Sequence, residues 1–284
     1  MPYRHGHIDT SLPDGMRSYA VSDRSDIPWC DETINPVIGC TRCSPGCDNC
    51  YVVRMAHRLG GNSKTPQYKG LTHIDGSGVH WTGEVRFVPS ELEKPRRWRK
   101  PRTIFISSMG DLFHDRVPVE WIDRVMQVVE DCPQHRFILL TKRAANLRST
   151  MTALVGERTG GEPLPNLAVG VSCCTQPELA AWVTLLLDTP AACRFVSMEP
   201  LIEEVNASAW FPWQHRDAGD PPLDGIICGA ETGPGARPMH PDWARRVRDD
   251  CATAGVPFFL KRLSDGTRRL YGREHNALPW QVSE

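Results

Sequence analysis

The chain is 284 residues long, with a formal net charge of −1, 40% hydrophobic residues and 24% charged residues. That length suits one large α/β domain or two small ones, and the balanced charge sets up no global field toward nucleic acid or membrane. The first residues, MPYRHGHIDT, lack the apolar core of a signal peptide, and no apolar run approaches the ~20 residues of a membrane span, so a cytoplasmic protein with no membrane attachment is expected.

Residues 1–28 read as an N-terminal extension ahead of one domain over 29–284. The first stretch that carries chemistry is GCTRCSPGCDNCY, Gly39 to Tyr51, which sets Cys40, Cys43, Cys47 and Cys50 within eleven residues. The chain holds eleven cysteines and shows no export signal, so clustered thiols point to metal ligation rather than disulfides. A structural zinc usually takes two well-separated Cys-x-x-Cys knuckles, whereas only Ser44-Pro45-Gly46 separates the pairs here. A fully ligated iron–sulfur cluster for electron transfer is a second reading.

Past the cysteines, residues 65–83 are rich in Gly and His and read as a loop insertion. KPRRWRKPR, Lys94 to Arg102, carries six basic residues around Trp98. Phosphate contact and base stacking are one use for it; a solvated helix face near the amino end of the fold is the favoured one. Six short apolar runs follow: Thr103–Ser108, Arg136–Lys142, Leu167–Ser172, Arg194–Pro200, Gly225–Glu231 and Pro257–Arg262. Near-continuous apolar segments of this length suit strands buried on both faces of a parallel sheet. Between them lie helical patterns after Pro118 and Thr175, and a third in PDWARRVRDDCATAG with Gly255 at its end. A second loop insertion is expected at 206–223. The alternation predicts an α/β fold, a partial or complete parallel (β/α) barrel.

The strand runs end in polar residues, and carboxyl ends of strands build the active site of such barrels. Ser107, Ser108, Asp111, Lys142, Ser172, Glu199 and Glu231 are therefore candidate cofactor-binding residues. For Asp111 the competing reading is a helix cap, and for Glu199 with Lys142 an ion pair. Gly229, Gly233 and Gly235 around Glu231 suit either close backbone approach to a ligand or plain turns.

The spacing Cys43-x3-Cys47-x2-Cys50, ahead of β/α units, resembles that of the radical S-adenosylmethionine enzymes. More narrowly, the chain resembles a phage-associated three-Cys-motif family with a radical-SAM-like architecture. INPVIGC, SPGCDNCY, SSMGDLFH, LTKR, VGVS, SMEPL, GAETGPGARPMHPDW and GVPFFLKR carry that likeness from Trp29 onward. The resemblance implies a [4Fe–4S] cluster held by Cys40, Cys47 and Cys50, with Cys43 the alternative to Cys40. It implies S-adenosylmethionine on the open iron and cleavage to a 5′-deoxyadenosyl radical. An electron donor and a nucleic acid or nucleotide substrate are the implied partners. Two departures stand out: Asn49 precedes the last cysteine where an aromatic is usual, and Ser108-Met109-Gly110-Asp111 stands in place of Gly-Gly-Glu. The alternative function is a non-catalytic zinc or iron–sulfur module that recognises nucleic acid through Lys94 to Arg102.

Overall fold

Runs such as IFI, FILL and LAVGV have apolar side chains on both faces, so they gain most when covered on both sides, and each is a strand in the computed structural model of the chain. The structure describes residues 25, 27–211 and 223–281. Seven strands form the central sheet: β1 (Glu32–Ile34), β2 (Thr103–Ile106), β3 (Arg136–Thr141), β4 (Leu167–Ser172), β5 (Cys193–Met198), β6 (Gly225–Gly229) and β7 (Phe258–Arg262). They lie side by side in chain order, and every neighbouring pair is parallel. Among the described residues β1 and β7 do not pair, so the barrel is partial rather than complete. The six expected strands are all present, and β1 is a seventh.

Among the described residues six helices accompany the sheet: α1 (Tyr51–Gly60), α2 (Glu93–Arg97), α3 (Val119–Asp131), α4 (Ala144–Thr159), α5 (Gln176–Leu187) and α6 (Pro241–Ala254). Their starts and stops follow local chemistry. The Thr175 side chain accepts from the Glu178 amide at the head of α5, and His240 accepts from Asp242 at the head of α6. Gly160 and Gly255 close α4 and α6 in the left-handed region, where glycine is cheapest.

One face of the sheet packs on the helices through Ile104, Phe137, Leu139, Val169, Val196 and their neighbours. The opposite face carries Phe105, Ile138, Ala168, Phe195, Ile227 and Phe259, closed off by Trp29 and Trp280. Strand side chains alternate between faces, so two or four residues beyond this apolar floor the same face turns polar, with Lys142, Ser172, Ser197, Glu199 and Lys261. That polar layer sits at the carboxyl ends of the strands.

The expected insertions are partly described. Residues 65–83 contain a hairpin, Thr72–Asp75 paired with Gly78–Trp81. Of 206–223, residues 212–222 lie outside the described residues, as does nearly all of the expected N-terminal extension. Among the described residues, no helix is long and apolar enough to cross a membrane.

Candidate metal centre

The cysteine loop leaves β1 at the carboxyl end of the sheet. A two-residue strand, Val37–Ile38, pairs antiparallel with Arg86–Phe87 and carries the chain to Gly39. Gly39 then bridges Gly110, its amide donating to the Met109 carbonyl at 3.1 Å. Both glycines are demanded by this seam. A Cβ on Gly39, whose φ is +93°, would lie 2.2 Å from the Glu84 carbonyl oxygen, and one on Gly110 would lie 2.8 Å from that of Val37. The seam fixes where Cys40 starts.

Cys40 is half-buried and faces Arg143, whose Nη1 lies 3.8 Å from its Sγ. Arg143 is itself held on several sides. Nη1 donates to Asp111 Oδ2 at 2.9 Å, and Nη2 donates to Thr41 Oγ1 at 2.7 Å and to the Thr41 carbonyl at 3.2 Å. Thr141 Oγ1 donates to the Asp111 carboxylate, and the amides of Phe113 and Lys142 add further bonds. The Asp111 oxygens are thus taken up inside the protein. Its carboxylate orients Arg143, and through it Cys40 and Thr41. Burial pushes the Cys40 thiol up to about 12, with Arg143 opposing the shift.

Cys43 is exposed, and its thiol hydrogen-bonds Cys47. That bond is the main cause holding the Cys47 thiol down, at about 6, and Lys142 contributes in the same direction. Cys50 is half-buried, and burial raises its thiol. Among the described residues, no three His, Cys, Asp or Glu side chains converge as a single metal ion would require.

Lys142 stands under this loop. Its ammonium bonds the buried Ser172 hydroxyl, which donates in turn to the Glu199 carbonyl at 3.2 Å. Burial works to lower the Lys142 pKa, but the thiols of Cys174, Cys47 and Cys50 outweigh it and hold the group raised. Cys174, fully buried just past β4, supports the loop from beside Lys142. A Cβ on Gly46 would sit 2.1 Å from Cys174 Sγ and 3.4 Å from Lys142 Cε. Only glycine lets the loop descend this far. The Cys174 amide donates to the Glu178 carboxylate at 2.7 Å, which ties this support to the first turn of α5.

From the far side the loop is gripped by the segment after β6. Glu231 accepts from Asn49 Nδ2 at 2.9 Å, from the Arg237 amide at 2.8 Å and from Arg237 Nη2 at 2.5 Å. Arg237 Nη2 also donates to the Pro45 carbonyl at 2.9 Å, and Asn49 donates to the Gly235 carbonyl at 2.9 Å. Burial would raise the Glu231 carboxyl, but the bonds from Arg237 and Asn49 prevail and lower it. Glu231 is therefore a clamp on the cysteine loop, and Gly233 and Gly235, both with positive φ, shape the turn that carries it.

The remaining candidates are spread around the mouth. Glu199 pairs with Lys261 at 3.0 Å rather than with Lys142. Ser108 Oγ donates to Asn35 at 3.1 Å. Ser107 has a φ of +63°, and its buried hydroxyl lacks a protein partner; the fully buried Ser197 hydroxyl lacks one too. The first of these is strained backbone beside the loop, a feature typical of functional sites. Arg143, Asn49, Arg237 and Cys174 are the side chains that sequence reasoning left without a role. Arg143 and Arg237 lay inside recognised motifs, LTKR and GARP, and Cys174 follows a strand end like the other candidates.

The basic stretch occupies the opposite end of the sheet. Lys94 pairs with Glu91, Arg96 with Asp131 and Glu93, and Arg102 with Glu32 while stacking on Trp98. Only its first part is helical.

Residues 24–277 match a family described as a protein of unknown function (DUF5131). No curated protein matches the chain. Among solved structures, a cysteine-to-serine mutant of spore photoproduct lyase aligns with a TM-score of 0.48 and 10% identity, over 85% of this chain and 79% of that one. A tyrosine-to-phenylalanine mutant of the same lyase aligns at 0.45 and 8%, over 80% and 75%.

Proposed function

This chain belongs to the DUF5131 family, and on that premise we propose that it is a radical S-adenosylmethionine enzyme. One observation carries the reading: the cysteine loop lies across the polar carboxyl-end mouth of a partial β/α barrel, gripped by the segment after β6 and seated on Lys142. An electron-transfer cluster alone has no use for such a mouth.

The donor chemistry fits an iron–sulfur cluster. Cys40, Cys47 and Cys50 are half-buried thiols on one short loop, and two cations, Arg143 and Lys142, face them. Thiolates are the ligands such clusters take, and nearby positive charge favours the thiolate form. We assign Cys40, Cys47 and Cys50 as the ligands. Cys43 is exposed and, unlike Cys40, takes no hydrogen bond from Arg143, which leaves it outside the set. When bound, the [4Fe–4S] cluster and S-adenosylmethionine supply a 5′-deoxyadenosyl radical, chemistry that belongs to the cofactors.

The chain's own residues bind and orient. Asp111 and Thr141 aim Arg143 at Cys40; Glu231 and Arg237 hold the loop over the mouth. Ser107, whose buried hydroxyl lacks a protein partner, and Ser108, Ser172, Glu199 and Lys261, which would exchange present bonds, are the groups assigned to the cofactor's amino, carboxylate and ribose functions. The apolar floor of Phe105, Phe195 and Trp280 keeps water from entering by the far end. The implied substrate, nucleic acid or nucleotide, rests on the family resemblance alone, and so does the electron donor.

Anaerobic reconstitution tests the assignment. About four irons and four sulfides per chain, with S-adenosylmethionine binding, support it. One tightly held zinc and no sulfide would instead make the protein a zinc-binding module.

A further inference from the structure

Lys142 lies between the cysteine loop and the polar layer beneath it. Its Cε lies at the edge of the space a Gly46 side chain would fill, and its ammonium rests on the buried Ser172 hydroxyl. The groups that face it are the thiols of Cys47, Cys50 and Cys174 and the Glu178 carboxylate. Glu199, the acid nearest along the layer, is engaged by Lys261 at 3.0 Å and so does not neutralise Lys142. Glu178 accepts from the Cys174 amide at 2.7 Å. Lys142 is thus a cation directed at the thiol loop with no acid paired to it through a salt bridge among the described residues.

From this placement, and resting on the cluster reading above, we propose that Lys142 is the electrostatic positioning residue of the centre, a fixed positive charge that favours the reduced cluster. One-electron reduction of a [4Fe–4S] cluster from the 2+ to the 1+ state adds one negative charge and no proton. A cation held close by in a partly desolvated site stabilises that added charge more than it would in water. The electron comes from an external low-potential donor, dithionite in the test below. The assignment differs from contact with S-adenosylmethionine, since it requires only the cluster.

The experiment is anaerobic reconstitution of wild type, Lys142→Arg, Lys142→Gln and Lys142→Met, followed by iron and sulfide analysis. Dithionite-poised redox titration read by electron paramagnetic resonance then gives the midpoint, without S-adenosylmethionine. The expected result is that Gln and Met load the cluster but show about a tenfold lower ratio of reduced to oxidised cluster at fixed potential. For one electron that is about 59 mV more negative. Arg stays near wild type. If Gln and Met fold by circular dichroism yet do not load while Arg does, the charge serves cluster assembly rather than reduction, and the proposal is overturned. Wild-type midpoints in all loaded variants overturn the proposal. So does failure of Arg alongside Gln and Met, since the shape of lysine would then be what matters. If wild type itself takes up no iron and sulfide, it is the cluster reading that fails, and Lys142 loses this role with it.

Discussion

Cys40 and Cys43 are three residues apart and both feel Arg143 and Asp111, but they differ in burial and in direct bonding. Cys40 is half-buried and takes a direct contact from an arginine locked by a buried carboxylate, while Cys43 is exposed and bonds Cys47. Spacing alone leaves both available; the surroundings favour Cys40. Alanine at Cys40, Cys47 or Cys50 should each abolish cluster uptake, and Cys43→Ala should retain it, as read by iron and sulfide content. Loss in Cys43→Ala with retention in Cys40→Ala would reverse the assignment. Asp111 is a different case. Read from the sequence it is a candidate cofactor-binding residue or a helix cap, but its oxygens already meet Thr141, Arg143 and two amides, and with Arg143 it forms a pair in which both side chains are under 10% exposed. Removing one partner of such a pair strands a buried charge, at about 3–5 kcal/mol. Asp111→Ala should therefore lower the unfolding free energy of the apo-protein by that amount in a urea titration. An unchanged midpoint would release Asp111 for a role in binding cofactor.

The cysteine loop holds its course because elements at opposite ends of the chain meet over it. Glu231 and Arg237, beyond β6, bond Asn49 and the Pro45 carbonyl in a loop that follows β1. Arg237→Ala would remove the two guanidinium bonds to Glu231, from Nε and Nη2, and keep the backbone amide's, costing about 1–3 kcal/mol of local stability. Faster amide hydrogen exchange over residues 44–50, with α3 unaffected, is the expected sign; uniform exchange across the chain would mean the clamp is not local. The helices show which elements can be read in advance. α3, α5 and α6 begin after Pro118, Thr175 and His240-Pro241, signals visible in the sequence, and all three fall where expected. α1 and α4 begin at Cys50 and Arg143, neither of which makes a side-chain cap, so nothing announces them. Yet α4 buries Leu147, Met151, Leu154 and Val155, a spacing of four, three and one that is helical. β1 is three residues, two of them polar, too short to register as an apolar run.

The sheet was the most legible part of the molecule, because strands covered on both faces must be apolar almost throughout and so stand out from the helices between them. What pattern could not show is closure. Whether β1 meets β7 depends on curvature and on the bulge at Cys228 and Gly229, where the register of β6 with β7 shifts. Polar strand ends marked the mouth, but their partners depend on geometry: Glu199 takes Lys261, and Lys142 is left facing the thiols. The basic stretch at the other end spends much of its charge on internal pairs, which weakens the case for nucleic acid there. The cysteine loop and the polar strand ends share one end of one partial barrel. The most direct test is to reduce the reconstituted protein with S-adenosylmethionine and assay for 5′-deoxyadenosine and methionine. The account predicts both, formed slowly even without substrate and absent in Cys47→Ala. A fully loaded cluster that yields neither under strong reductant would contradict it.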